Sequence, residues 1–188
     1  MPGTDAGNAH KLEKSIEAFD SDHRTIIDYL LTHKNCNGRI GTVGMCLGGH
    51  LALRCAMEPE VIAGVCLFAT DVHKGSLGKD GDDSLARISK GFGEAELTMV
   101  FGKQDNHVPP PGRKLIYEAL SEVDVDFQWL ELNAQHAFVR DELSKGRYDP
   151  SLSNIVYQAM FEVFKRRLQL GLGSSGKVTP QKAPGPEC

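Results

Sequence analysis

In this chain of 188 residues, no apolar run approaches the ~20 residues that a membrane-spanning helix needs, so no span is expected. Basic charge is not in excess. The formal net charge of −4 provides no footprint for nucleic acid, which is excluded as an expected partner along with a membrane. The five cysteines are an odd number without a C-x-x-C pair, so neither a disulfide framework nor a zinc site is expected. A reduced, cytoplasmic setting fits that usage. The start, Met1 to Asn8, lacks the charged segment and apolar centre of a signal peptide. The glycines at 41, 44, 48 and 49 do not form G-x-G-x-x-G, and no G-K-[ST] follows them, which disfavours a dinucleotide fold and excludes a P-loop. No H-E-x-x-H signature is present, and no cofactor is expected.

What is present is an ordinary globular composition, 40% hydrophobic and 24% charged, in a length that can bury one sizeable core. The chain is organised around residues 41–50. Arg39 to Val43 is short and β-branched, as a buried strand would be, and Leu51 to Met57 is made of good helix formers. Between them lies Gly44-Met45-Cys46-Leu47-Gly48-Gly49. A strand that turns sharply into a helix needs small residues around the turn, and Gly44 and Gly48 are expected to let the two backbones pass closely. The apex residue is then forced outward. This is the G-x-S-x-G nucleophile elbow with sulfur in place of oxygen. The helix N-terminus beneath Cys46 favours thiolate, and the N–H of Leu47 is placed to hold an oxyanion. The competing reading of Cys46 is a buried structural thiol, which is what Cys36, Cys55 and Cys66 are expected to be.

Along the chain, residues 1–10 read as a loop and 11–34 as one amphipathic helix, with Ile16, Phe19, His23, Ile26, Ile27, Leu30 and Leu31 on its apolar face. Val61 to Thr70 is a strand apolar on both faces, as in a parallel sheet. Residues 71–93 are polar and glycine-rich and read as a long surface loop, a lid or pocket wall, with one helical turn near 85–88. A third strand at 96–101, a helix at 112–123, a fourth strand at 125–132 and a closing helix at 151–168 follow. In the last helix Ile155, Val156, Met160, Phe161, Val163, Phe164 and Leu168 are expected to face inward. Residues 1–170 are read as the folded domain and 171–188 as a disordered tail.

Strands alternating with helices imply an α/β fold, a parallel sheet flanked by helices whose ligands bind at the strands' C-terminal ends. Cys46, Asp105 and His136 each follow a strand and so share one rim. A thiol nucleophile needs a base, and the imidazole needs an acid that fixes its tautomer. The order nucleophile, acid, histidine is that of the α/β-hydrolases. Asp71 also follows a strand and competes with Asp105, whose plain alternative is a turn aspartate. His107 lies too near Asp105 in sequence to reach Cys46 easily, and His50 is placed to pack or cap. Asp71-x-His73 and Asp105-x-His107 can also be read as metal-ligand pairs. Arg140, four residues after His136, would face the same pocket if a helical turn begins there, and could bind a carboxylate. A surface arginine without a partner is its alternative.

Gly44-Met45-Cys46-Leu47-Gly48-Gly49, Gly102-x-x-Asp105 and His136-Ala137-Phe138-Val139-Arg140 together resemble the dienelactone hydrolases, or carboxymethylenebutenolidases. The resemblance runs from about Pro2 to Leu168. It implies an α/β-hydrolase that opens a lactone or carboxylic ester through a cysteine acyl-enzyme. Carried onto this chain, it makes Cys46 the nucleophile, Asp105 and His136 its triad partners, Leu47 N–H half of the oxyanion hole and Arg140 the holder of a substrate carboxylate. The substrate would be a small, anionic ester or lactone. The family has about eight strands and this chain shows four, so the first strands, a second oxyanion donor, a glutamate that helps ionise the thiol and a second arginine are expected to be missing. The sheet would then begin at the elbow strand with an unpaired apolar edge. That edge supports a competing expectation, an impaired short form acting as an interaction subunit or homo-oligomer. A third reading makes Cys46 a redox-sensing thiol.

Overall fold

The computed structural model describes residues 4–140 and 146–175. Four strands form one wholly parallel sheet in the order β1-β2-β3-β4: β1 (Ile40–Met45), β2 (Val61–Leu67), β3 (Glu96–Gly102) and β4 (Asp126–Leu132). Six helices surround it: α1 (Thr4–Glu13), α2 (Ile16–Thr32), α3 (Leu47–Cys55), α4 (Ser84–Ile88), α5 (Pro110–Ser121) and α6 (Pro150–Phe164). The period of two in the strands divides the core. Leu97, Met99 and Phe101 of β3 pack with Leu53 of α3 and with Ile116 and Leu120 of α5. Val100, with Ala63, Val65 and Leu67 of β2, packs instead with Val156 and Val163 of α6. The sheet is therefore covered on both faces, as its continuous apolar strands require.

The N-terminal segment differs from the expectation of a loop and one helix. Helix α1 begins at Thr4, and a break at Lys14-Ser15 separates it from α2. Ser15 causes the break by capping α2, its Oγ accepting from the N–H of Ala18 at 3.3 Å. Only Phe19 and Ile27 of α2 are buried, while Ile26 and Leu31 are exposed. In α6, Ile155 and Phe161 also face outward, contrary to the expected inward stripe. That helix ends at Phe164, and a π-helical turn (Lys165–Gln169) replaces its expected last turn. The wider turn lets two consecutive arginines reach the body. Arg166 holds Glu96 through two bonds of 2.6 and 2.8 Å, and Arg167 donates to the carbonyls of Ile62 and Glu94.

Residues 71–93 carry the expected helical turn as α4 and line the cleft through Asp71 and Lys74, but they are less of a surface loop than expected: Leu77, Ile88 and Phe92 are buried, and a 3₁₀ turn (Val72–Lys74) adds further structure. Of the anticipated tail, Gly171–Ser175 packs on the body. The N–H of Ser175 reaches Glu96 at 3.3 Å, and that of Leu172 reaches the carbonyl of Arg166 at 3.0 Å. Residues 176–188 lie outside those described.

Candidate active site

The elbow forms because β1 and α3 nearly touch. A Cβ on Gly44 would lie 1.9 Å from the carbonyl oxygen of Gly48, and one on Gly49 would lie 2.6 Å from that of Leu67. Gly48 has open space around its missing Cβ, so it is the backbone of Gly48, not its lack of a side chain, that enters the close approach to Gly44. Cys46 at the apex adopts φ 58° and ψ −123°, a conformation that costs a non-glycine residue about 1–3 kcal/mol. The strand end holds it there. Its N–H donates to Leu67 (3.0 Å), and its carbonyl accepts from Gly49 (3.0 Å), His50 (3.3 Å) and Thr70 (3.2 Å).

His136 and Asp105 come from the turns after β4 and β3. The Asp105 carboxylate is buried and fully occupied: Oδ2 meets His136 Nδ1 at 2.7 Å, and Oδ1 accepts from the N–H of His107 (2.8 Å) and of Val108 (3.4 Å). Burial would raise its pKa, but the hydrogen bond and charge of His136 and these two amides hold it below the usual carboxylate range. Burial would lower His136, but Asp105 on one side and Cys46 on the other raise it from 6.5 to about 9. Burial would likewise push the Cys46 thiol up, yet hydrogen bonding to His136, the imidazolium charge, the N–H of Leu47 and the Thr70 hydroxyl bring it below the ordinary thiol value. The lowering of the thiol and the raising of the imidazole both run in the direction that favours thiolate and imidazolium. Thr70 Oγ1 stands 4.0 Å from Cys46 Sγ.

The rivals weighed from sequence are occupied elsewhere. Asp71 pairs with Lys11, sixty residues earlier in the chain, at 2.6 Å and accepts from Ser76. His50 is buried against Ser84 at 2.6 Å, tying α3 to α4. His73 packs its ring on Gly112 of α5. His107 does not reach the sulfur but lies over His136, ring centroids 4.3 Å apart. Phe68 contacts the same imidazole edge-on at 5.1 Å. Among the described residues no group of three or more His, Cys, Asp or Glu is arranged to hold a metal.

These groups open on a cleft of about 890 Å³ whose walls include Cys46, Leu47, Thr70, His136 and Arg140. The four non-glycine residues of positive φ among those described, Cys46, Phe68, Asp71 and Ala137, all line it. Strain concentrated in one place marks a functional site. Thr70, Phe68, Lys11, Leu12, Lys74 and Arg147 also belong to this cleft and were not singled out from sequence. Phe68 and Thr70 simply continue an apolar strand, and Lys11 arrives from a remote helix, so local sequence carried no signal for them.

A parallel sheet with a cysteine elbow on its C-terminal rim defines the α/β-hydrolase class. Within it the chain belongs to the dienelactone hydrolase family, whose profile matches residues 4–168. It is similar to a Saccharomyces cerevisiae protein named as a carboxymethylenebutenolidase, 45% identical over 92% of this chain and 65% of that one. It is also similar to the carboxymethylenebutenolidase of Pseudomonas putida, 31% identical over 72% of this chain and 54% of that one. The chain thus spans between about half and two thirds of these relatives' length. The fold is shared with a Klebsiella pneumoniae protein described as a dienelactone hydrolase (TM-score 0.65, 20% identity, 78% of this chain and 59% of that one). A Pyrococcus furiosus esterase also shares it (TM-score 0.61, 15% identity, 81% and 62%).

Proposed function

We propose that this chain carries the catalytic half of a lactone or carboxylic ester hydrolase that works through a cysteine acyl-enzyme. The observation that carries the reading is the buried Asp105–His136 pair at 2.7 Å, which raises His136 while the thiol beside it is lowered. Sγ of Cys46 attacks the ester carbonyl, and the N–H of Leu47 receives the developing oxyanion. His136 Nε2 gives its proton to the departing alkoxide, leaving a thioester. A water then gives a proton to His136 and attacks the thioester, and the tetrahedral intermediate collapses to release the acid and restore the ion pair. Asp105 holds the imidazole in one tautomer and stabilises its charge throughout. Arg140, at the wall of the same cleft, binds a substrate carboxylate. The free Cys36, Cys46, Cys55 and Cys66 fit a reduced, cytoplasmic setting. The test is hydrolysis of an activated aryl ester by the whole chain and by Cys46→Ala. Activity that falls at least about 10³-fold in the variant supports the reading, and equal turnover overturns it.

The exposed edge of the sheet favours a second role, self-association. No strand pairs with the outer side of β1 among the described residues, and Val43 and Met45 are 51% and 41% exposed. They lie on the α6 face, where Gly41 meets Phe164 and Leu168 and where Phe161 is 60% exposed. A second copy would cover this strip.

A further inference from the structure

The cleft is more cationic than one substrate carboxylate requires. Among the described residues, Lys11, Lys74, Arg140 and Arg147 line it, with Asp71 as the one carboxylate. These four cations are not equivalent. Lys11 is taken up by Asp71 at 2.6 Å, and Arg147 is also engaged. Lys74 and Arg140 make no ion pair or side-chain hydrogen bond among the described residues.

Lys74 stands on a fixed platform. Its 3₁₀ turn is bounded by two left-handed residues, Asp71 (φ 67°) and Gly75 (φ 58°), and its N–H donates to the carbonyl of Asp71 at 2.9 Å. The neighbouring Val72 is buried, and the His73 ring sits so close to α5 that a Cβ on Gly112 would be 2.6 Å from it. The Asp71 side chain is anchored by Lys11 and Ser76. Lys74 lines the same cleft as His107, His136 and Arg140. Two uncompensated cations facing one concave space repel each other and raise the local concentration of anions. The volume of about 890 Å³ is near the top of the range of small-molecule sites, roughly 300–1,000 Å³, and leaves room beyond a single ring.

We infer that the substrates of this cleft carry two anionic groups, one held by Arg140 and the other by Lys74. The inference rests on the reading of Cys46 as the nucleophile of an ester or lactone hydrolase, and it makes Lys74 a residue that selects dianions. Asp71 contributes by neutralising Lys11, so the second anion is directed to Lys74.

The test is a binding titration of the whole chain, followed by calorimetry or NMR, with butanoate and with succinate, glutarate and adipate at matched ionic strength. The best-fitting dicarboxylate should bind about fivefold tighter than butanoate, the effect of one further exposed ion pair. The advantage should shrink with added salt. It should disappear in Lys74→Gln and in Arg140→Gln, each checked for an unchanged far-UV spectrum. No dicarboxylate advantage in the wild-type chain, or an advantage that survives Lys74→Gln, overturns the inference. Because binding is read without turnover, the result stands whether or not aryl esters are cleaved. A chain that hydrolyses esters through Cys46 but shows no such advantage keeps the proposed function and loses the dianion.

Discussion

The reactivity of Cys46 depends on a partner rather than on the thiol alone. Burial by itself would raise its pKa, and the imidazolium of His136, held by Asp105, reverses the sign. Alkylation of Cys46 by iodoacetamide should therefore stay fast below the ordinary thiol pKa. In Asp105→Asn the midpoint of its pH profile should move upward, and ester turnover should fall by about 10²–10⁴. Peptide-level mass analysis across pH reads the first effect, and an unchanged midpoint would contradict the coupling. Stability follows the same pair. The folded-state pKa of His136 is raised above 6.5 to about 9, so its contribution is fully present below 6.5 and is lost as pH rises through about 9. The stabilisation of wild type over His136→Gln in chemical denaturation should accordingly narrow across that window.

At the level of elements, two contacts fix the geometry of the site. The first is the crossing of β1 and α3 at Gly44. Gly44→Ala places a methyl carbon 1.9 Å from a backbone oxygen, which nothing nearby can yield to accommodate. Loss of soluble folded protein is expected, whereas Gly48→Ala, with open space, should fold. The second is the ion pair between the start of β3 and the π turn after α6. Glu96 is buried, with two bonds to Arg166. Arg166→Ala leaves that carboxylate buried and uncompensated, and should cost about 3–5 kcal/mol in urea denaturation. A loss below about 1 kcal/mol would show that water or the neighbouring amide of Ser175 replaces the guanidinium.

For the molecule as a whole, the sheet is asymmetric: its C-terminal rim carries the cleft, while among the described residues no strand pairs with the outer side of β1. Self-association through that edge predicts a dimer by light scattering, and a shift to monomer for Val43→Lys, because a charged residue on a sheet edge opposes pairing. A monomeric wild-type chain at high concentration would remove the self-association reading and leave the hydrolytic one intact.

The parallel α/β fold was legible from sequence because β2 and β3 are apolar on both faces, a pattern only a doubly covered sheet can satisfy. The elbow was legible because the chemistry of a tight strand-to-helix turn is local, confined to Gly44 through Gly49. That Cys46, Asp105 and His136 share one rim followed from each candidate's place at a strand end. What local pattern could not supply was the choice between partners distant in sequence. Asp71 and Asp105 looked alike in their turns, and only packing decided between them, by bringing Lys11 to the first and His136 to the second. The burial within residues 71–93 and the π turn were likewise set by remote contacts: Leu77, Ile88 and Phe92 enter the body, and Arg166 finds Glu96. The sequence by itself determined the strands, the elbow and the kinds of group that line the rim, since these follow from nearest neighbours. Tertiary structure alone decided which acid pairs with His136 and which cations of the described residues remain unpaired, because a charge is neutralised by whatever lies beside it in space, not along the chain.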